Sequence, residues 1–510
     1  MLARLHAAAV FGVEALPVSV EVDVSGGGLP GITMVGLPDT TVRESRDRVR
    51  SAIRNSGFPF PVGRVTVSLA PADVRKIGAA FDLPIALGIL AASGILPQRD
   101  GREMTIVGGL SLDGGIPPMQ GVLPIAVSAR KTARPALIFP AANLAEAGIV
   151  ADLRLFPVAS LNDAVRILSA SDPESTPPPR PAAAHQPATG EDLADVCGQL
   201  RGRRALEIAA AGAHHLLFSG SPGAGKTMLA RRLPGLLPPL DFDEALLVTS
   251  IHSIAGLLPP GSGLVVARPF RAPHHSCSDM ALVGGGASPR PGEVSLAHAG
   301  VLFLDELPEF SRRVLETLRQ PLEAGVVHVA RVARSVTFPA RVMLVGAMNP
   351  CPCGFHGDAR RPCHCPPPLV DRYQRRLSGP LRDRFDLGVE VQGVPWSDIS
   401  GDPVRETSAV VRARVHDARR RQLDRQGRLN SELDGRALRA HAPLDRPSHA
   451  LMATAVTRLG LSVRGVTRVL RVARTVADLA GDVELRADHV AEALQFRVPE
   501  RSAPAYSHEA

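Results

Sequence analysis

The 510-residue chain is predicted to be a multidomain α/β protein, and three observations carry that prediction. Short apolar runs alternate with helix-period segments over most of its length, as in sheets flanked by helices. A stretch rich in proline, alanine and serine from Ser169 to Pro187 has no apolar period and divides the chain. Toward the C-terminal end the strand signals stop, and only helical periods and caps remain. The divisions that follow are an α/β domain over 1–168, a linker over 169–190, a parallel-sheet core over 191–395 and a helical domain over 396–510.

In the first domain, Val18–Val24 and Val65–Leu69 alternate as strands do, while Thr41–Ser56 and Leu83–Ala92 carry helical periods. In the core, His215–Ser219, Gly300–Leu304 and Val342–Ala347 are short apolar runs leading toward helices, the pattern of buried parallel strands. Hydrophobic residues make up 45% and charged residues 21%, which excludes a mostly disordered chain and a disulfide-stapled miniprotein. The formal charge of +8 suits an anionic partner, though it is modest for this length. Among 58 basic residues only Lys76, Lys131 and Lys226 are lysines. The longest uncharged apolar run, Leu83 to Pro97, is shorter than the ~20 residues a bilayer needs and is broken by Pro84, Gly88 and Gly94. The first residues make a poor signal peptide, so a cytoplasmic protein without a membrane partner is expected.

Gly220-Ser221-Pro222-Gly223-Ala224-Gly225-Lys226-Thr227 fits G-x-x-x-x-G-K-[ST] directly after an apolar strand. Its glycines let backbone N–H groups turn toward phosphate oxygens, and the following helix adds its positive end. Lys226 would reach the β and γ phosphates of ATP, and Thr227 would ligate Mg²⁺. A planar guanidinium does not replace the compact ammonium here, which accounts for a lysine kept in so arginine-rich a chain. Further on, Val301-Leu302-Phe303-Leu304 ends in Asp305-Glu306. Asp305 would hold the Mg²⁺ shell and Glu306 would polarise the attacking water. Asn349 follows another buried strand and is placed to contact the γ-phosphate or the water.

The order of phosphate loop, DE strand, strand-tip Asn and Leu381-Arg382-Asp383-Arg384-Phe385-Asp386 resembles the AAA+ ATPases. That resemblance makes Arg384 a finger acting in the neighbouring subunit's site. It also makes Arg464, in Ser462-Val463-Arg464, a sensor reaching the bound nucleotide from a C-terminal helical lid, with Arg468 and Arg471 as rivals for the role. The strings Asp195-Val196-Cys197-Gly198-Gln199, Arg268-Pro269-Phe270-Arg271-Ala272-Pro273-His274-His275 and Pro291-Gly292-Glu293 narrow the resemblance to the magnesium-chelatase-like ATPases of the YifB/ComM group. This implies a homo-oligomeric, hexameric ring motor acting on single-stranded or branched DNA, as in branch migration during recombination. The related alternatives are a metal-insertion motor feeding a chelatase and a protein unfoldase working with a separate peptidase. Gly325–Ala340 reads as a β-hairpin, and similar hairpins in ring helicases enter the channel, so Arg331 and Arg334 become candidates for gripping a phosphate backbone. The arginine-rich stretch Arg405–Arg428 is either a further basic face or a solvated helix.

Cys351, Cys353, Cys363 and Cys365 form two C-x-C pairs. Four thiolates suit a structural Zn²⁺ that pins a polar, proline-rich loop, with His356 or His364 able to replace one ligand. Residues 1–168 resemble the Lon protease domain, of ribosomal-protein-S5-like fold. Ala80 and Leu123 stand where that family's serine and lysine would be. Covalent hydrolysis needs both a nucleophile and its base, so peptidase activity is not expected.

Overall fold

The computed structural model describes residues 1–498 apart from 27–30, 37–39, 72–75, 77, 98–103, 133–134, 179–190, 260, 287–288, 330–334, 359 and 401–404. The N-terminal strands are β1 (Leu2–Phe11), β2 (Glu14–Ser25), β3 (Gly31–Val35), β4 (Arg64–Ala70), β5 (Thr105–Ile106), β6 (Ala136–Pro140) and β7 (Arg154–Val158). They form one mixed sheet in the order β3-β4-β2-β1-β5-β6-β7. The β1–β2 and β2–β4 pairs are antiparallel and the others parallel. Alternation in β2 and β4 buries Val18, Val20, Val22, Val65, Val67 and Leu69 on one face. Helices Thr40–Asn55 and Asp82–Ala92 belong to the same core, close to their expected bounds. The second of these is buried along its whole length, which explains an apolar run without a polar face.

The expected linker is partly docked. Ser169 ends the helix Leu161–Ser169, and Thr176 N–H donates to the Leu155 carbonyl at 2.8 Å. Arg154 Nη2 donates to the Pro173 carbonyl at 2.8 Å, so a polar side chain on β7 recruits the segment without any apolar period.

The core contributes β8 (Leu216–Gly220), β9 (Phe270–Arg271), a ribbon of β10 (Gly284–Gly285) and β11 (Arg290–Pro291), β12 (Val301–Leu304), a hairpin of β13 (Val326–Val329) and β14 (Val336–Pro339), β15 (Met343–Met348) and β16 (Leu387–Val391). Five of these make a wholly parallel sheet in the order β16-β8-β15-β12-β9. Loops leaving the carboxyl ends of such strands gather on one edge, where ligands bind.

After β16 the named elements are all helical, led by Ser408–Gln426, Arg446–Leu459, Val463–Ala480 and Ala487–Gln495. His214, just ahead of β8, joins this region to the sheet: its Nδ1 lies 3.2 Å from Asp386 Oδ2 and its Nε2 2.8 Å from Thr475 Oγ1. Much of the Arg405–Arg428 stretch is turned inward. Arg414 pairs with Glu207 and Glu406, Arg425 with buried Asp478, and Arg419 Nε donates to the Ala210 carbonyl at 2.8 Å. These arginines anchor the helical region rather than make a continuous basic face. Among the described residues, no helix is long and apolar enough to cross a membrane.

One buried histidine makes the core acid-sensitive. His298 Nδ1 accepts a 3.1 Å hydrogen bond from the Arg341 backbone N–H. Burial, then the Arg341 and Arg268 cations, hold its pKa down at about 4. Between pH 6.5 and 4 the unfolded chain therefore binds a proton that the folded chain refuses. Stability is full above about 6.5 and falls toward pH 4, by up to about 3 kcal/mol. His298→Asn removes this loss, so the gap in urea midpoint between wild type and variant should narrow steadily over that range. A gap independent of pH would refute the neutral-histidine assignment.

Candidate nucleotide-binding site

The phosphate loop leaves β8 at Gly220 and enters the helix Lys226–Leu236. Gly225 sits at φ +98°, in the region that L side chains avoid, and so turns the loop into the helix. Lys226 Nζ donates to the Gly220 carbonyl at 2.7 Å, the Ser221 carbonyl at 2.9 Å and Asn349 Oδ1 at 3.1 Å. Burial pushes the Lys226 pKa down, while Asp305 and then Glu306 pull against it. An ammonium held among carbonyls in a half-dry cradle gains by exchanging some of them for phosphate oxygens.

Thr227 Oγ1 donates to Asp305 Oδ2 at 2.7 Å, which places side by side a hydroxyl and a carboxylate, both oxygen donors of the kind that can hold Mg²⁺. Glu306 follows with φ +51° and with its N–H donating to Asp305 Oδ1 at 2.9 Å. The Glu306 carboxylate meets His275, whose Nδ1 is 3.2 Å from Glu306 Oε2. The His275 ring rests against His274 and meets Phe310 edge-on. Lys226, Thr227, Asp305, Glu306 and Asn349 thus meet at the carboxyl edge of the sheet.

Arg384 and Arg464 lie elsewhere. Asp386 N–H donates to the His215 carbonyl at 3.0 Å, so the arginine turn stands where β8 begins. The five residues of β8 put roughly 16 Å between that edge and the phosphate loop. There Arg384, Arg464, Arg468 and Arg471 line a cavity of about 760 Å³ together with Glu323 and Asp383. Arg384 pairs with Glu323, and its buried Nε has no partner among the described residues. Arg464, expected to reach the bound nucleotide from the lid, lies 3.7 Å from Asp383 at the opposite edge. The cause is the anchoring of its helix, through Thr475 to His214 and through Arg468 Nη1 to the Phe385 carbonyl at 3.2 Å.

The four clustered cysteines converge, with all their sulfurs within 4.8 Å of one another. Cys351 Sγ is 3.3 Å from Cys353 Sγ and 3.7 Å from Cys363 Sγ, and the last two are 3.6 Å apart. Four sulfurs about 2.3 Å from one zinc ion stand roughly 3.8 Å from each other, so the donor set fits a tetrahedral metal. Neither His356 nor His364 belongs to the group. Arg331 and Arg334 fall outside the described residues, although β13 and β14 do pair as the expected antiparallel hairpin. At the two positions expected to match the Lon dyad, Ala80 lies in the turn Ala79–Phe81, and buried Leu123 donates its N–H to Glu146 Oε1 at 2.8 Å. Neither position offers a nucleophile or a base.

Residue patterns did not single out His275, Glu323 or Asp358 as partners of site residues. His275 stands within one of the strings quoted above, which could have flagged it. For Glu323 and Asp358 no local signal exists.

Family models match most of the chain. The model described as magnesium chelatase, subunit ChlI, matches residues 192–399, with companion models of that subunit at 20–143 and, for its C-terminal part, 405–497. The YifB protein of Salmonella typhimurium is 44% identical over 98% of both chains, and the competence protein ComM of Haemophilus influenzae is 45% identical over 97% of both. The chain belongs to the YifB/ComM family. YifB/ComM proteins share a magnesium-chelatase-like core of AAA+ type, an ATPase family. The likeness extends to the 38 kDa magnesium-chelatase subunit of Rhodobacter capsulatus, 26% identical over 54% of this chain and 77% of that subunit.

Proposed function

We propose that this YifB/ComM family member is an ATP-hydrolysing ring motor that acts on DNA, migrating branches in recombination intermediates. The observation that carries this reading is the division of the catalytic set between two edges of one sheet. Lys226, Thr227, Asp305, Glu306 and Asn349 stand at one edge, and Arg384 and Arg464 at the other, where Glu323 and Asp383 hold them. A complete site then needs two chains, with the arginine edge of one facing the phosphate loop of the next. Chains joined head to tail in this way close into a ring, for which six members is the family-based expectation.

Within one site, Lys226 and the loop amides bind the triphosphate, and Thr227 with Asp305 holds the Mg²⁺ that arrives with ATP. Glu306 takes up the proton of the attacking water, and the neighbour's Arg384 meets the charge that builds on the γ-phosphate. Arg331 and Arg334, which lie between β13 and β14 in the sequence, would grip phosphates in the channel without reading bases. The N-terminal domain, of Lon-like fold without the dyad, would guide DNA or dock a partner. The cysteine cluster would hold a structural zinc.

The decisive assay is ATP hydrolysis with and without synthetic branched DNA. Hydrolysis should rise several-fold with branched DNA, and the gain should fade steeply with added salt, since phosphate contacts release counterions. Hydrolysis indifferent to DNA would overturn the DNA reading and leave the motor. Stimulation by a porphyrin-binding chelatase subunit instead would favour metal insertion, the reading to which the Rhodobacter likeness lends support.

A further inference from the structure

The loop carried by the four cysteines lies against the phosphate loop and touches it twice. Asp358 accepts a hydrogen bond from the Ser221 hydroxyl. Its other oxygen, Oδ1, accepts from the backbone N–H of Arg360 at 2.7 Å and of Arg361 at 3.2 Å, which fixes the carboxylate's orientation. Gly354, at φ +86°, presses on Pro222 so closely that a Cβ there would stand 2.5 Å from Pro222 Cδ. The turn is closed at its other end, where Arg360 Nη2 donates to the Gly393 carbonyl at 3.0 Å just beyond β16. At its start the buried Cys351 is two residues from Asn349, the acceptor for Lys226.

Between the cysteine pairs, residues 354–362 read GFHGDARRP, with Phe355 as the one large apolar side chain. Such a segment cannot bury enough surface to hold one shape, and a metal cross-link can do so in its place. The sulfurs supply that cross-link, and the Cys365 backbone N–H donates to Cys363 Sγ at 3.4 Å, as expected where a thiolate needs its charge supported.

We propose that metal bound by Cys351, Cys353, Cys363 and Cys365 sets the nucleotide affinity of the phosphate loop, through the contacts of Asp358 with Ser221 and Gly354 with Pro222. This rests on the nucleotide-site reading above and adds a positioning residue, Asp358, and a coupled ligand, a thiophilic divalent cation such as zinc. With metal in place, Ser221 and Pro222 are held and the loop meets the phosphates already shaped. Without it the contacts loosen, and nucleotide binding must order the loop itself. Coupling between two ligands is reciprocal, so nucleotide must tighten metal binding by the same factor.

The test uses the full chain. Elemental analysis of protein purified without chelator should give about one zinc per chain. A mercurial reagent with a chelator then removes the metal, and thiol treatment followed by zinc restores it. Affinity for a fluorescent ATP analogue should fall about 10-fold on removal and return on restoration. Zinc affinity, measured by competition with a calibrated chelator, should rise by the same factor when the non-hydrolysable ATP analogue is present. Asp358→Ala should keep its zinc yet bind nucleotide like the metal-free protein. Asp358→Asn, which can still cap the turn and bond to Ser221, should recover most of the affinity. Folded protein that carries no zinc and takes none up would overturn the proposal, as would equal affinities with and without metal. If metal removal unfolds the chain, the zinc-loaded Asp358→Ala variant decides, and unchanged affinity in it refutes the coupling. Zinc-loaded wild type that binds no nucleotide at all would instead sink the nucleotide site itself.

Discussion

Glu306→Gln should bind ATP as wild type does and release phosphate about 10³-fold more slowly. The reasoning begins with the division of labour along one short stretch. Asp305 is engaged with Thr227 at 2.7 Å, so the metal-holding pair does not need its neighbour. Glu306, at φ +51°, is met by His275 and keeps its carboxylate largely exposed. An amide of the same shape keeps the packing but cannot accept the proton of water. The loss should therefore fall on the chemical step, with nucleotide affinity unchanged. Lys226→Ala provides the contrast, because deleting the ammonium removes the charge that meets the phosphates and lowers binding itself. Binding of a fluorescent nucleotide and single-turnover phosphate release separate the two effects. A Glu306→Gln protein that turns over at the wild-type rate would remove Glu306 from the mechanism.

The features legible in the sequence are those whose partners are close along the chain or belong to a repeating pattern. The phosphate loop, the DE strand and the two C-x-C pairs are local strings, and their chemistry follows from residue type and spacing. The parallel core was legible because runs such as Val301–Leu304 are apolar on both faces, and the helical end because strand periods stop. The mixed order of the N-terminal sheet was not legible, since β5 is only two residues long and carries no period. Pairings across the fold were hidden for a different reason. Ser221 and Asp358 are 137 residues apart, and nothing near either one points to the other. The same is true of Arg384 and Glu323, which meet only because a short helix and the arginine turn end at the same sheet edge. The Arg464 placement required the three-dimensional position of the lid: a motif names a residue, but the His214–Thr475 and Arg468–Phe385 contacts decide which edge it faces.

Arg384→Ala should leave ATP binding intact and lower hydrolysis by roughly 10³-fold or more, the result expected if the missing charge serves a site on another chain. Arg384 stands roughly one strand length from its own phosphate loop, with its guanidinium given to Glu323 and its Nε without a partner among the described residues. Burial, then Arg464 and Arg319, lower its pKa. Mixing exposes the arrangement directly. In a ring made of Arg384→Ala and Glu306→Gln chains, one kind of interface joins an intact Glu306 to an intact Arg384 from its neighbour, while the other kinds lack one group or both. Mixed rings should therefore recover part of the ATPase activity that neither variant shows alone. Recovery should follow the fraction of unlike neighbours and peak near equal proportions. If each chain supplied all its own groups, every site in the mixture would stay defective at every ratio. Rings proven mixed, for instance by co-purification through a tag on one variant, that nonetheless remain inactive would overturn the shared site and with it the structural case for a ring.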